Sequence, residues 1–525
     1  MRGQYFTGDD WEFIHRLIPG VDRPGMFAPH NEHWLTLPLA VYKILFAVVG
    51  VRTYIPYMGV LLAVHVLVAH LLWRIMVRAG ADLRVATALA GVFLVLGSGA
   101  DNLTWAFQVG FVGSLAAGLG MVLAVLGNTR RRLAGAWLLG VISLMCSGLG
   151  PIMVATAGMT TLLRFGWRRA FLIVAAPAVV YAAWLLAFGI HNASPPLPRG
   201  QLGLIPDYVF TGVTSAAAGI SGLRFVGALL LLPLTWWVIV RARHRADEAA
   251  VVALAAGTLL FFVVVGVGRI GLGVVESKEN RYVYISAILL LPAAAVALSH
   301  LSRRHVLAAG AVALVIGWAA IHNVRTLGVA VQMTAVVRGH AQARIILASH
   351  LVGSAVVIFP RPPEYLTAPD LTWADLEYLV RHDDLPNASL LPPSALDVVT
   401  VASNIELTTS PAPLLKVAAV PIRATAGTSL SQVSPGCVQV TASNGAGQPA
   451  AQLTFTEPAS ISIHAGAGSS ISVRLFAAAA PTVGSEPLAF AVDGSRNLYL
   501  DVSFTGGMAL VQLPAAGATL CGVAA

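Results

Sequence analysis

Residues Asp9–Trp34 read DDWEFIHRLIPGVDRPGMFAPHNEHW, and this polar stretch precedes a long series of apolar segments. The contrast decides the fold, because many apolar runs beside one polar run are typical of a membrane protein with a functional segment at the bilayer surface. The stretch combines an acidic pair, a third acid and a His-Asn-Glu-His sequence, which are Asp9, Asp10, Glu12 and His30–His33.

The composition predicts a polytopic α-helical membrane protein. Of the 525 residues, 57% are apolar and only 11% are charged, whereas about a quarter are charged in a soluble domain. Residues 35–50 are apolar but too short to span a bilayer, so we expect an interfacial helix there. About ten transmembrane helices follow, near 54–73, 85–100, 104–126, 133–148, 151–164, 169–189, 222–240, 248–268, 282–300 and 305–322.

The net charge of +9 reflects arginines between these segments. Short basic loops favour the cytoplasmic side of a plasma membrane, and nothing in their sequence resembles a nucleic-acid-binding region. If all five arginine clusters lie on the cytoplasmic side, the chain must break near Gly148–Pro151. The same topology places the N-terminal stretch, the loop 269–281 and everything after about 323 outside. The clusters are Arg74/Arg78/Arg84, Arg130–Arg132, Arg164/Arg168/Arg169, Arg241/Arg243/Arg245 and Arg303/Arg304.

A change in composition after Arg325 predicts an extracytoplasmic C-terminal region. Short alternating segments from about residue 410, separated by Gly, Pro and Asn, indicate a β-sandwich. The predicted domains are therefore 1–53, the acidic loop and interfacial helix; 54–324, the transmembrane helices; 325–409, a mixed α/β connector; and 410–525, the β-sandwich. Outside the cytoplasm, Cys437 and Cys521 can form a disulfide; two buried thiols are the alternative.

The acids predicted to face the outside are candidates for catalysis or binding. Asp9 and Asp10 begin a predicted helix through about Leu17, so they either act catalytically or cap that helix. Asp101 follows a predicted span and either binds substrate or belongs to a plain loop. Glu276 and Glu279 lie in the loop before the span 282–300.

His30, Glu32 and His33 form a dense polar cluster. The i, i+3 spacing of the histidines would suit two ligands of a divalent ion, but it matches no standard zinc motif. We therefore favour contact with a sugar or phosphate over metal binding by His30 and His33, with a solvated polar loop as the remaining alternative.

Basic residues predicted to lie outside are few. Arg269, Lys278 and Arg281 flank one loop, and Tyr282 follows Arg281 directly. Arginine binds phosphate with paired hydrogen bonds, whereas Arg and Tyr also serve as interfacial anchors. Trp105 and Gln108 lie at the outer end of a predicted span, where they either line the same cavity or pack in the helix bundle.

The segments FAPHNEHWLTLPLAVYKILF and ENRYVY, with the outer acidic pair, resemble the C superfamily of membrane glycosyltransferases, including multi-pass actinobacterial members. The resemblance covers roughly residues 1–325. It implies transfer of a sugar from a polyprenyl-phosphate donor, with Asp9 or Asp10 as the catalytic base or metal contact. It also implies that Arg281 or Arg269 meets the lipid phosphate, with or without a divalent cation such as Mg²⁺ or Mn²⁺ as cofactor.

One feature departs from that superfamily, whose members carry a transmembrane helix before the acidic pair. No apolar segment precedes Asp9 here, so the chain either lacks that helix or naturally starts upstream. The principal hypothesis is a glycosyltransferase acting on an envelope glycan, lipid or protein acceptor. The alternatives are a non-enzymatic protein that binds or assembles envelope polysaccharide, and a lipid or polysaccharide transporter.

Overall fold

A computed structural model describes residues 3–20, 23–127, 129–191, 199–223, 236, 240 and 248–349, and then 352, 363–364, 367–386 and most of 405–524. The chain divides into two compact units. The first comprises Met1–Phe6, Pro19–Val49 and Thr53–Arg338, and the second comprises Thr7–Ile18, Gly50–Arg52 and Gly339–Ala525.

The first unit is helical. Its helices over the described residues are α2 (Thr36–Val49), α3 (Ile55–Arg78), α4 (Leu83–Leu94), α5 (Asp101–Thr104), α6 (Val109–Val125), α7 (Arg130–Leu144), α8 (Gly150–Phe165), α9 (Trp167–Ala187), α10 (Ile205–Ser221), α11 (Ala249–Arg269), α12 (Asn280–Ser302) and α13 (Val306–Ser349, whose last turns belong to the second unit). Short 3₁₀ turns at Ala106–Gln108, Ile270–Leu272 and Val274–Lys278 extend or connect them.

Six helices in the described part of the chain are long and apolar enough to cross a membrane: Ile55–Arg78, Ala106–Val125, Trp167–Ala187, Ala249–Leu272, Asn280–Ser302 and Val306–Ile346. The predicted count of about ten is not confirmed. Helices α4, α7 and α8 have 12, 15 and 16 residues, below the roughly 20 that a span needs. Most of the predicted span 222–240 lies outside the described residues.

The predicted break near Gly148–Pro151 is confirmed, because α7 ends at Leu144 and α8 begins at Gly150. The carbonyl of Met145, at the break, accepts a hydrogen bond from the Leu37 amide (3.2 Å). Buried Ser114 and Ser143 link α6 to α7 through their hydroxyls, 3.0 Å apart. Helices α7 and α8 are thus two separate, packed elements.

Helix α13 continues to Ser349, well beyond the predicted end of the last span at residue 322. The rise in polar residues after Arg325 suggested the end of the helices, but that run is still helical. The last segment of the first unit ends at Arg338, and the last segment of the second unit begins at Gly339.

The second unit contains α1 (Asp9–Leu17), α14 (Trp373–Arg381) and a β-sandwich. Helix α1 has the predicted bounds. His15 on α1 contacts Asp375 on α14, with 2.7 Å between Nδ1 and the carboxylate oxygen. Asp375 also completes a capping box with Thr372 at the start of α14. Hydrogen bonding lowers the pKa of Asp375 despite its burial, which acts in the opposite direction.

The described strands form two six-stranded sheets, which confirms the predicted C-terminal β region. One sheet has the order β1-β9-β6-β11-β4-β3 and the other β12-β2-β5-β10-β7-β8. Buried apolar residues of both sheets form one core. The strands are β1 (Ile405–Thr408), β2 (Val420–Ala424), β3 (Thr428–Ser434), β4 (Cys437–Ala442), β5 (Ala450–Phe455), β6 (Ala459–His464), β7 (Ser470–Ala477), β8 (Leu488–Ala491), β9 (Leu498–Val502), β10 (Gly507–Gln512), β11 (Ala518–Cys521) and β12 (Val523–Ala524).

The predicted disulfide between Cys437 and Cys521 is confirmed. The two residues lie directly opposite each other on neighbouring antiparallel strands, β4 and β11. Cys146, in the helical unit, is a free buried thiol.

Candidate functional site

A cavity of about 450 Å³ lies in the first unit, where the ends of several helices meet. It is bounded by the His30–His33 turn, the α7–α8 break, and parts of α6, α9, α11 and α12. Five residues singled out by sequence line it: Glu32, His33, Arg269, Arg281 and Tyr282. The structure therefore brings together two polar segments that are more than 200 residues apart in sequence.

The cationic wall of the cavity comes from α11 and α12. Arg269 ends α11 and Arg281 lies in the first turn of α12. The Arg281 guanidinium donates to a carboxylate oxygen of Glu276 (3.0 Å) and lies 5.3 Å from the centre of the Tyr282 ring. Tyr282 in turn packs edge-on against Phe261, with 5.5 Å between ring centres. These contacts fix the guanidinium in one orientation beside the cavity.

The His30–His33 segment is a tight turn. The backbone amide of each histidine donates to the carbonyl of the other, at 3.0 and 2.9 Å. Asn31 takes the left-handed conformation with φ of 49°, which Asn tolerates better than most residues. The His30 ring packs on Phe107 and the His33 ring on Phe111, so the turn is placed against the start of α6.

Gly148 allows His33 to enter the cavity. A β-carbon at residue 148 would lie 2.5 Å from His33 Nδ1, which is closer than a side chain can approach without movement. The glycine at the α7–α8 break thus serves the site as well as the turn. Sequence predicted the break but not this close approach.

Acidic residues surround the Arg281 end of the cavity. Burial raises the pKa of Glu279; the charge of Arg281 opposes the shift, and the carboxylates of Glu276 and Asp101 add to it. Asp101 is half-buried at the start of α5. The local environment therefore favours an additional positive charge or a protonated acid.

The remaining predicted contacts have other surroundings. Gln108 is buried and accepts a hydrogen bond from Asn102 (3.3 Å), which supports the packing alternative. Trp105 lies against Phe107, with 5.4 Å between ring centres. His30 is buried beside Phe107, and Lys278 is exposed. None of these four predicted site residues is among the described residues that line the cavity.

The acidic pair belongs to the second unit, on α1. The carboxylate of buried Asp10, in the first turn of α1, accepts a hydrogen bond from the amide of Thr7, which precedes the helix (3.0 Å). Asp9 is half-buried. One oxygen of Asp9 and one of Glu12 lie within 4.8 Å of each other, so α1 offers two of the oxygen ligands that Mg²⁺ or Mn²⁺ prefers. Arg16 also donates to Glu12 (3.0 Å).

Sequence analysis missed the apolar walls of the cavity. Phe111, Tyr181, Phe261 and Ile285 line it from four different helices. Behind this wall, Trp34 and Trp184 stack in parallel, with ring centres 5.1 Å apart. In sequence these residues look like ordinary members of apolar spans, so no local signal separates them from packing residues.

Comparison of the chain with models of known protein families and with curated proteins gave no match in either case.

Proposed function

We propose that the protein is a membrane glycosyltransferase that moves a sugar from a polyprenyl-phosphate donor to an envelope acceptor on the outer face of the plasma membrane. The observation that carries the proposal is the cavity in which Arg269 and Arg281 adjoin an apolar wall. A polyprenyl phosphate has the same two parts, an anionic headgroup and a hydrocarbon chain.

The chemistry of each part supports this assignment. The guanidinium groups of Arg269 and Arg281 are suited to phosphate oxygens, because their donors form a rigid fork. Leu260, Val264 and Val265 on α11 line the cavity and provide a surface for isoprenoid units. Glu276 holds Arg281 in place and is the partner that an arriving phosphate would share or displace.

In the proposed reaction, an acceptor hydroxyl oxygen attacks the anomeric carbon of the donor sugar. The new carbon–oxygen bond forms while the bond from that carbon to the phosphate oxygen breaks, and the polyprenyl phosphate leaves with the electron pair. A carboxylate takes the hydroxyl proton. Arg281 and Arg269 stabilise the charge that develops on the leaving phosphate. We assign the base to Asp9 rather than Asp10, because Asp10 is buried and its carboxylate already accepts a hydrogen bond from the Thr7 amide.

A divalent cation stays a prediction. Asp9 and Glu12 would hold it through their oxygens, although the ion pair of Glu12 with Arg16 competes for one ligand. When bound, such a cation would add positive charge for the leaving phosphate.

The test uses purified full-length protein and labelled polyprenyl-phosphate sugars. We expect Arg281→Gln and Arg269→Gln to weaken donor binding about 10- to 100-fold, since a charge-assisted hydrogen bond contributes roughly 1.5–3 kcal/mol. Lys278→Gln is the matched control, because exposed Lys278 is not among the described residues that line the cavity. Asp9→Asn should abolish transfer while donor binding persists. Equal binding by all three cation variants would refute the arginine assignment, and full transfer by both Asp9→Asn and Asp10→Asn would refute the acid assignment.

The β-sandwich favours a second candidate, a non-enzymatic protein that binds envelope polysaccharide. The observation is a separate two-sheet core in the second unit, an architecture that many binding domains share. Glycan binding by the full chain, together with the absence of transfer from every labelled donor, would favour this candidate over the enzyme.

A further inference from the structure

The two sheets of the sandwich differ in charge. The strands of the β12-β2-β5-β10-β7-β8 sheet contain Arg423 and Arg474 and no Asp, Glu or Lys. We call this the basic sheet. The strands of the other sheet contain Glu406 and Asp501 and no Arg or Lys. An anion is therefore attracted to the basic sheet and repelled by the other one.

Both arginines of the basic sheet lie on its outer face. Their neighbours Ile422 and Val473 are buried in the core of the sandwich, and successive side chains of a strand point to opposite faces. Arg423 and Arg474 are exposed. Within the part of the chain that the structure describes, neither guanidinium forms an ion pair. Both positive charges are therefore accessible to an anionic partner.

Strand pairing places the two arginines at the ends of one row across the sheet. Arg423 on β2 lies opposite Gln452 on β5, and Gln452 lies opposite Leu510 on β10. Leu510 in turn lies opposite Arg474 on β7. Three strand spacings of about 4.8 Å separate the backbones of the two arginines by roughly 14 Å. The row thus holds two positive charges at a set spacing, with an amide and an aliphatic side chain between them.

The rest of this face is uncharged and mostly polar. The outward positions in the neighbouring rows are Thr454, Ser470, Ser472, Phe476, Met508 and Gln512. The Gln452 amide nitrogen lies 2.9 Å from the Met508 sulfur, so this amide lies along the face. Hydroxyl and amide groups both donate and accept hydrogen bonds, and the hydroxyl groups of a sugar do the same.

We propose that the outer face of the basic sheet binds an anionic glycan, a polysaccharide whose sugars bear carboxylate or phosphate groups. Arg423 and Arg474 contact two separate anionic groups of one glycan chain, and the amides and hydroxyls between and beside them contact its sugars. The proposal rests on the second candidate function, polysaccharide binding by the sandwich, and is independent of sugar transfer. Basic clusters that bind anionic membrane surfaces carry about four to eight Lys or Arg residues, whereas this face carries two.

The test is calorimetric titration of the purified full-length protein with two anionic probes, oligogalacturonate and a phosphorylated mannan oligosaccharide. The methyl ester of the first and the dephosphorylated form of the second keep the sugars but lack the charge. An exposed ion pair contributes up to about fivefold in affinity, so we expect Arg423→Gln and Arg474→Gln each to raise the Kd of an anionic probe about two- to fivefold and the double variant about tenfold. The control is Arg381→Gln, which removes an exposed arginine from α14 in the same unit and should leave the Kd unchanged.

Leu510→Glu keeps both arginines and adds a carboxylate between them, so it should weaken binding at least as much as the double variant. Ser462→Glu adds the same charge to β6 in the other sheet and should not. If the arginine variants do not fold, modification of wild-type arginines by phenylglyoxal decides the question: an anionic probe should protect Arg423 and Arg474, and its neutral form should not.

Three results would overturn the proposal. Equal binding of charged and neutral glycans, unchanged in the arginine variants, would place glycan binding on another surface and leave the second candidate function standing. Failure of all four glycans to bind would overturn the second candidate function as well. Protection of the two arginines by phosphatidylglycerol vesicles and by neither anionic glycan would assign the face to a membrane surface instead.

Discussion

The disulfide offers the sharpest quantitative prediction for the C-terminal sandwich. The bond closes a loop of 84 residues between Cys437 on β4 and Cys521 on β11. Removing it lets the unfolded chain recover the entropy of that loop, which amounts to about 4.5 kcal/mol in the chain-entropy treatment. We therefore expect the double variant Cys437→Ser/Cys521→Ser to lose between about 2 and 4.5 kcal/mol of stability in the sandwich.

The measurement is pulse proteolysis of the full-length protein in increasing urea, with cleavage sites within 405–524 identified by mass spectrometry. With a slope of about 2 kcal/mol per molar urea, the cleavage midpoint should fall by roughly 1–2 M. Wild-type protein treated with a reductant should behave like the double variant. Cys146→Ala is the control, because this buried thiol lies in the helical unit and forms no disulfide.

The refuting result is equally clear. Identical cleavage midpoints for wild type and the double variant, with and without reductant, would mean that the bond does not restrain the unfolded chain. A shift in Cys146→Ala as large as that of the double variant would show that the assay reports on the helical unit instead.

The remaining predictions concern the cavity and the α1–α14 contact. Gly148→Ala should displace the His33 ring and weaken donor binding, whereas Gly135→Ala on α7, where a β-carbon meets no atom within 4 Å, should not; equal donor affinity in both variants would contradict the packing argument. Asp375→Asn should destabilise the second unit by about 2 kcal/mol at neutral pH, since it weakens hydrogen bonds to a buried charge. Because the folded-state pKa of Asp375 is lowered, its stabilisation is present above its unfolded pKa of about 4 and is lost as the pH falls through the folded value. Denaturation midpoints of wild type and variant should therefore converge in acid, and a constant difference at all pH values would exclude a charge effect.

The elements with strong local signals could be predicted from sequence. The acidic residues Asp9 and Asp10 predicted the start of α1. Alternation of apolar and polar residues predicted the sandwich, because each strand buries one face in the shared core. The polar lining residues Arg269 and Arg281 could also be singled out from sequence, since few basic residues were predicted to lie outside.

The features that depend on distant contacts could not be predicted. The predicted span 85–100 ends at Leu94 as a helix, and a 3₁₀ turn follows at Gly97–Gly99. A β-carbon at Gly97 would lie 2.2 Å from the Asn323 carbonyl oxygen, and one at Gly99 would lie 2.7 Å from the Tyr284 β-carbon. The chain can turn there only because glycine permits close approach to α12 and α13. Hydropathy averages over such residues and so overestimates the length of the helix.

The proposed function assigns its two chemical tasks to different residues, phosphate binding to Arg269 and Arg281 and proton removal to Asp9. Loss of a phosphate contact reduces donor affinity, while loss of a base reduces the rate of a bound complex. The arginine variants should therefore lower the affinity for the donor, whereas the Asp9 variant should lower the rate of transfer from bound donor. Normal donor binding by Asp9→Asn together with weak donor binding by Arg281→Gln would support phosphate binding by the arginines. That result would hold even if a different carboxylate removed the hydroxyl proton.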